Sequence, residues 1–146
     1  MIKQLTIIAF ISGLFHSCIK EKDKPDLVAD NTNMLTAGVW HFTYYNYYGG
    51  IPSTVTTYAD LPNCRKDDLR IFNKDGTGEY NEGPTKCDSI YPQTQPVQWK
   101  FLNKYASSIN LNGEEYYIDK LDAHEFRIHL KHLDPYAPEI SFGYSR

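Results

Sequence analysis

The chain has 146 residues, 41% hydrophobic and 23% charged, with a formal net charge of -3. That length fits one domain, and so weak a charge, with no lysine- or arginine-rich run, excludes the electrostatic footprint of a nucleic-acid binder. The aromatic share is 14%, with 12 tyrosines, which favours the pleated, half-buried surface of a β-sheet.

The N-terminus reads as an address. Met1 to Gln4 carry one charge, Lys3, and residues 5–15 (LTIIAFISGLF) are almost wholly apolar. That run is too short to cross a bilayer as a helix, which takes about 20 residues. A short basic start and a brief apolar core predict a secretory signal. Phe15-His16-Ser17-Cys18 resembles the lipobox of bacterial lipoproteins, in which a small residue precedes a cysteine that is lipidated and becomes the new N-terminus. Ser17 and Cys18 fit that pattern; Phe15 replaces the usual Leu, and His16 is bulkier than usual. The resemblance implies a signal peptide over 1–17, lipidation at Cys18 and a membrane partner through the anchor, at the outer membrane and facing the periplasm or the cell surface. Residues 18–30 alternate Lys20, Glu21, Lys22, Asp23 and Lys24 before Pro25 and Asp26, a composition that buries little and predicts a solvated tether.

The cysteine count agrees with export. Once Cys18 is assigned to lipid, Cys64 and Cys87 remain, and an even remainder in an exported chain predicts a disulfide. A metal pair or two free thiols are the alternatives; the metal reading lacks a CxxC spacing and a nearby His.

Residues 31–37 (NTNMLTA) predict a short helical turn. From Val39 the sequence alternates, with Trp40, Phe42 and Tyr44 on one face and His41, Thr43 and Tyr45 on the other, the period-two pattern of a strand. Gly49, Gly50 and Pro52 break it, and residues 53–58 (STVTTY) predict a more polar second strand. Residues 67–72 and 77–81 flank Asn73-Lys74-Asp75-Gly76, a hairpin loop ending in the glycine that such a turn needs. Read as a calcium loop from Asn73, the segment places Pro84 where a Glu ligand belongs, so the hairpin is the better reading. A polar loop over 83–95 contains Cys87. Residues 96–103 place Val97, Trp99 and Phe101 on one face, and Asn112-Gly113 between residues 107–111 and 115–118 is the strongest short hairpin signal in the chain. Residues 124–131 put Phe126, Ile128 and Leu130 on one side and Glu125, Arg127, His129 and Lys131 on the other, a half-buried antiparallel strand. Ile140, Phe142 and Tyr144 repeat the pattern. Eight or nine short strands in sequential order predict an all-β meander, closed as an up-and-down barrel of about eight strands over residues 31–146, with an open β-sandwich as the alternative.

Several stretches resemble lipocalin-like domains of Gram-negative lipoproteins. Leu35-Thr36-Ala37-Gly38-Val39-Trp40 is similar to their L-x-G-x-W opening, whose Trp closes one end of the barrel. Cys64-Arg65-Lys66-Asp67-Asp68, Phe72 to Gly76, Glu82 to Asp88 and Gln98 to Phe101 resemble the middle of the same group. The resemblance implies the eight-stranded barrel and little about activity, because fold does not confer function.

The candidate binding residues are Trp40, Phe42, Tyr44, Trp99, Phe101 and Phe126, which line an interior that holds a small apolar or amphipathic ligand or, in the alternative, packs solid. Exposed tyrosines over 44–48 favour a second function, a protein-interaction or inhibitor module working through its loops. His124 and His132 face opposite to His129 by strand parity, so no metal site and no cofactor is expected. Asp67-Asp68 and Glu114-Glu115 are sequence neighbours rather than a facing pair, and no G-x-S-x-G elbow or phosphate-binding glycine loop occurs, so an enzyme is not expected.

Overall fold

The computed structural model describes residues 25–48, 54–131 and 139–146. The predicted signal, Cys18, the first part of the predicted tether, residues 49–53 and His132 lie outside the described residues. The fold is one closed, antiparallel up-and-down barrel of eight strands, which the described chain enters through a short helix. Helix α1 is Val28–Leu35, and the strands are β1 Val39–Tyr48, β2 Thr54–Thr56, β3 Leu69–Phe72, β4 Thr77–Asn81, β5 Thr94–Phe101, β6 Ser108–Leu111, β7 Glu114–Leu121, β8 Glu125–Leu130 and β9 Glu139–Ser145.

Closure comes from β1, which pairs with β9 from His41 to Tyr48 and so removes the free edges that an open sandwich would keep. On its other edge β1 serves two partners. Its first residues, Val39 to His41, pair with β3, and Tyr45 to Tyr47 pair with the short β2. The second predicted strand is therefore a flap on β1 rather than a barrel stave. The segment from Thr57 to Asp68 crosses between the two partners and buries Leu61 against the core.

Local chemistry accounts for the elements. Asp26 Oδ1 accepts the Val28 N–H at 2.9 Å and satisfies one of the orphan donors of α1. In β5, Val97 and Trp99 are buried while Pro96, Gln98 and Lys100 are exposed, as the alternation predicts. Asn112 and Gly113 have φ of 52° and 97°, the left-handed pair that a two-residue hairpin requires.

One inward-facing assignment is corrected. The β1–β9 register shifts between Phe42 and Tyr44, so Tyr45 and not Tyr44 follows Phe42 into the barrel. A bulge adds one residue and reverses the parity beyond it. Tyr44 lies on the outer wall, across Gly143, where any Cβ would come within 2.0 Å of its ring. Burial raises the pKa of its hydroxyl, an effect partly offset by the Arg127 guanidinium.

The core fills one end. Trp40, Phe126, Leu35, Ile109 and Ile128 are almost wholly buried there. Phe72 meets Trp99 and Phe126 edge-on, with ring centroids 5.9 Å apart in each pair. The indole N–H of Trp40 donates to Leu35 O at 2.8 Å, and the Arg146 guanidinium stacks 4.0 Å from the Trp40 ring. Helix α1, the 73–76 turn, the 102–107 loop and the C-terminus together seal this end.

Candidate functional site: the open end of the barrel

Toward the other end the inward side chains change character. Arg70 on β3 stands opposite Trp40 of β1 and Tyr80 of β4 in register, so all three point inward. Parity alone dictates this, because Phe72 two residues later is a core side chain. Val97, Leu111, Tyr116, Ile128, Phe142 and Tyr144 continue the wall around the barrel.

Two connected spaces result. A deep chamber of about 130 Å³ rests on Phe72, Val97, Phe126 and Ile128. Above it a wider mouth of about 440 Å³ is bounded by Phe42, Asp68, Tyr80, Glu82 and Gln95. Arg70, Asn112, Phe142 and Tyr144 line both, so they form the waist between them. A more apolar side groove of about 470 Å³ runs past Leu61 and Pro62 under the β2 flap and shares Phe42, Arg65 and Phe142 with the mouth.

Two polar pairs are tied together, one in the mouth and one in the chamber wall. The Tyr80 hydroxyl donates to Asp68 Oδ2, and the Tyr116 hydroxyl donates to Glu114 Oε2 at 2.6 Å. Burial, reinforced by the neighbouring carboxylate, raises both phenol pKa values well above the ordinary range. Asp68 is only 3% exposed, and burial raises its carboxyl pKa. The Tyr80 bond and Arg65 oppose that rise, while Glu82 and Asp67 add to it. Glu82 is also buried, and Asp68 Oδ1 and Glu82 Oε2 are shut off from solvent without a hydrogen-bond partner.

The rim is stapled. Cys64 in the 3-10 turn Asn63–Arg65 bonds Cys87 in the 82–93 loop, with Cα atoms 5.0 Å apart, so the predicted disulfide is present. Beside it Asp67 Oδ2 accepts the Thr85 N–H at 2.9 Å. Bridging these 23 residues is worth roughly 3–4 kcal/mol by loop-closure entropy. Around this end several large side chains stand in solvent: Tyr47, Tyr58, Tyr91 and, at 86% exposure, Ile90.

Among the six residues that the sequence singles out for binding, Phe42 lines the mouth and Phe126 the chamber floor. Trp40, Trp99 and Phe101 are interior but belong to the packed end. The Trp99 indole N–H is spent on Asn73 O and Thr77 O, at 3.1 and 2.9 Å. Tyr44 is outside, as above. Sequence reasoning missed Arg70, Tyr80 and Tyr116; the available signal was their even spacing from the inward residues Phe72, Gly78 and Ile118. On the outer wall Asp119 Oδ1 accepts from His129 Nδ1 at 2.8 Å, and among the described residues no three His, Cys, Asp or Glu side chains are placed to hold a metal ion.

Fold and site together define a class: a small antiparallel barrel with one sealed end and one chambered end. Comparison of the chain with protein-family models, with curated proteins and with solved structures finds no match.

Proposed function

We propose that the chain is a lipid-anchored envelope protein whose lipocalin-like barrel holds a small apolar or amphipathic molecule in its chambered end. The observation that carries the reading is the asymmetry of the interior. One end packs side chain against side chain, and the other leaves an apolar-floored space that opens through the mouth. The wider part falls within the few hundred Å³ usual for ligand pockets, which are apolar with a few placed polar groups. The anchor reading rests on residues 1–18, and the disulfide suits an oxidising compartment outside the cytoplasm. The described chain enters at the sealed end, where the Leu27 N–H donates to Lys104 O at 2.8 Å. In this reading a tether from Cys18 joins the barrel at the end opposite the mouth, which supports a mouth turned away from the membrane.

Binding is the reading favoured over catalysis. Asp68 and Glu82 are the groups that acid–base chemistry would use, but the Tyr80 hydroxyl occupies one Asp68 oxygen and the unpartnered oxygens are closed to solvent. They hold the mouth in shape. The exposed Tyr47, Tyr58, Ile90 and Tyr91 favour the second reading, a protein partner seated on the rim.

Native mass spectrometry of the disulfide-bonded chain after exposure to envelope extract separates the two. A reproducible small added mass that disappears in Leu111→Trp, which narrows the chamber, is the expected result. A bare mass, or an added mass unchanged by the substitution, argues for the rim.

A further inference from the structure

We infer that the waist of the cavity is an anion site, in which Arg70 takes the carboxylate of a short-chain amphipathic acid while the acid's apolar tail enters the deep chamber. This rests on the ligand-carrying reading above and names the chemistry of its cargo.

The case begins with what Arg70 lacks. Its side chain is half-buried and lines both the chamber and the mouth. Its guanidinium carbon stacks 4.2 Å from the centroid of the Tyr80 ring. Stacking uses the face of the guanidinium and leaves its edge, with the N–H donors, unspent. Among the described residues Arg70 has neither an ion pair nor a side-chain hydrogen bond. None of its nitrogens is among the buried polar atoms without a partner, so those donors are accessible from the cavity.

The neighbouring acids do not supply the missing partner. Asp68 is engaged by Tyr80 and Glu114 by Tyr116. The two tyrosines thus hold two carboxylates of the cavity lining, and among the described residues neither carboxylate pairs with Arg70. Other charges reach the mouth as well: Arg65, Glu82 and Asp88. They make the mouth mixed in sign, so long-range charge does not choose the ligand; the unspent planar fork does, because it matches a carboxylate through two parallel bonds.

The chamber selects the tail. Its floor of Phe72, Val97, Phe126 and Ile128 offers no hydrogen-bonding side chain, and about 130 Å³ has room for only a short apolar group beyond the waist. A longer tail would have to turn back into the mouth.

Three probes that share one tail test the assignment: hexanoate, hexylammonium and hexanol, each titrated into the full disulfide-bonded chain and followed by calorimetry or NMR. Hexanoate is expected to bind roughly 10- to 100-fold more tightly than the other two, the range of a charge-assisted bond. Arg70→Met should remove that preference, read as the ratio of hexanoate to hexanol affinity in the same variant, and Arg70→Lys, which keeps the charge but not the fork, should fall between. If hexanol binds and hexanoate is not preferred, the anion site is wrong and the ligand-carrying reading stands. If hexylammonium is preferred, the buried acids rather than Arg70 select the cargo. If none of the three binds, both readings fall. The comparison in the unaltered chain decides the matter even if Arg70→Met does not fold.

Discussion

The two ends of the barrel are built from the same strands, yet they obey different rules. At the sealed end the polar atoms of the large side chains find backbone partners: the Trp40 indole reaches Leu35 O and the Trp99 indole reaches Asn73 O and Thr77 O. At the chambered end three carboxylates, Asp67, Asp68 and Glu82, have a buried oxygen unmatched among the described residues, and Arg70 keeps its donors unspent. Burying polar groups without partners costs stability. Unmatched buried atoms occur at the sealed end too, at Arg146 Nε, but the buried carboxylate oxygens gather at the chambered end, and rules broken locally are expected where function lies.

The sharpest test of that division compares truncations at the two ends. Phe126 is wholly buried and touches Trp40, Phe72 and Tyr144, with centroids 5.7 to 5.9 Å away. Phe126→Ala should cost about 3–5 kcal/mol in denaturant unfolding, the range for a buried aromatic. Phe42→Ala at the mouth borders space already open, so less packing is lost and the cost should be clearly smaller. Equal costs would mean that the mouth is as much a core as the floor.

Next in size is the staple. Cys64→Ser with Cys87→Ser should lower stability by roughly 3–4 kcal/mol. Because the bridge joins only rim segments, amide protection from hydrogen exchange should fall first in the 57–68 and 82–93 segments and last in β7 and β8. Uniform loss would show that the rim and the floor unfold as one unit.

How far the sequence foresees all this differs between the two ends. The eight staves announce themselves through alternation in 96–103 and 124–131 and through Asn112-Gly113, because strand period and turn chemistry are local. Trp40, Phe72 and Phe126 are large, apolar and in phase, so the sealed end is legible too. The chambered end is not, since its character comes from register. Nothing local marks the bulge that sends Tyr44 outward, and Arg70 reads as a surface residue until β1 and β4 bring Trp40 and Tyr80 alongside it. Asp68 is separated from Tyr80 by 12 positions and from Glu82 by 14, yet only the β3–β4 pairing makes them neighbours.

A smaller effect sharpens the role of that cluster. Tyr80→Phe removes the hydroxyl from Asp68 and leaves a buried carboxyl with no side-chain donor among the described residues. It should cost about 1–3 kcal/mol at neutral pH, measured by urea unfolding. A neutral outcome would mean that solvent reaches Asp68 and that the mouth is wetter than its burial implies.

The smallest effect is a dependence on pH, and its sign follows from the direction of the Asp68 shift. Burial raises the folded-state pKa of this carboxyl above its unfolded value. In strong acid the group is protonated in both states and contributes its full share of stability. As pH rises, the unfolded chain releases the proton first, while the folded chain still holds it, so stability from this group declines until the folded-state pKa is passed. Asp68→Asn keeps an acceptor for the Tyr80 hydroxyl and abolishes the titration. The variant should therefore match the parent in strong acid and gain on it as pH rises, with the difference flat once the raised folded-state pKa is passed. Glu82→Gln should produce a weaker version of the same trend, because Glu82 is one of the charges that raises the Asp68 pKa. Should Asp68→Asn instead lose ground as pH rises, the carboxylate would be needed in its ionised form. The mouth would then be built around a charge that the structure satisfies only when something binds there.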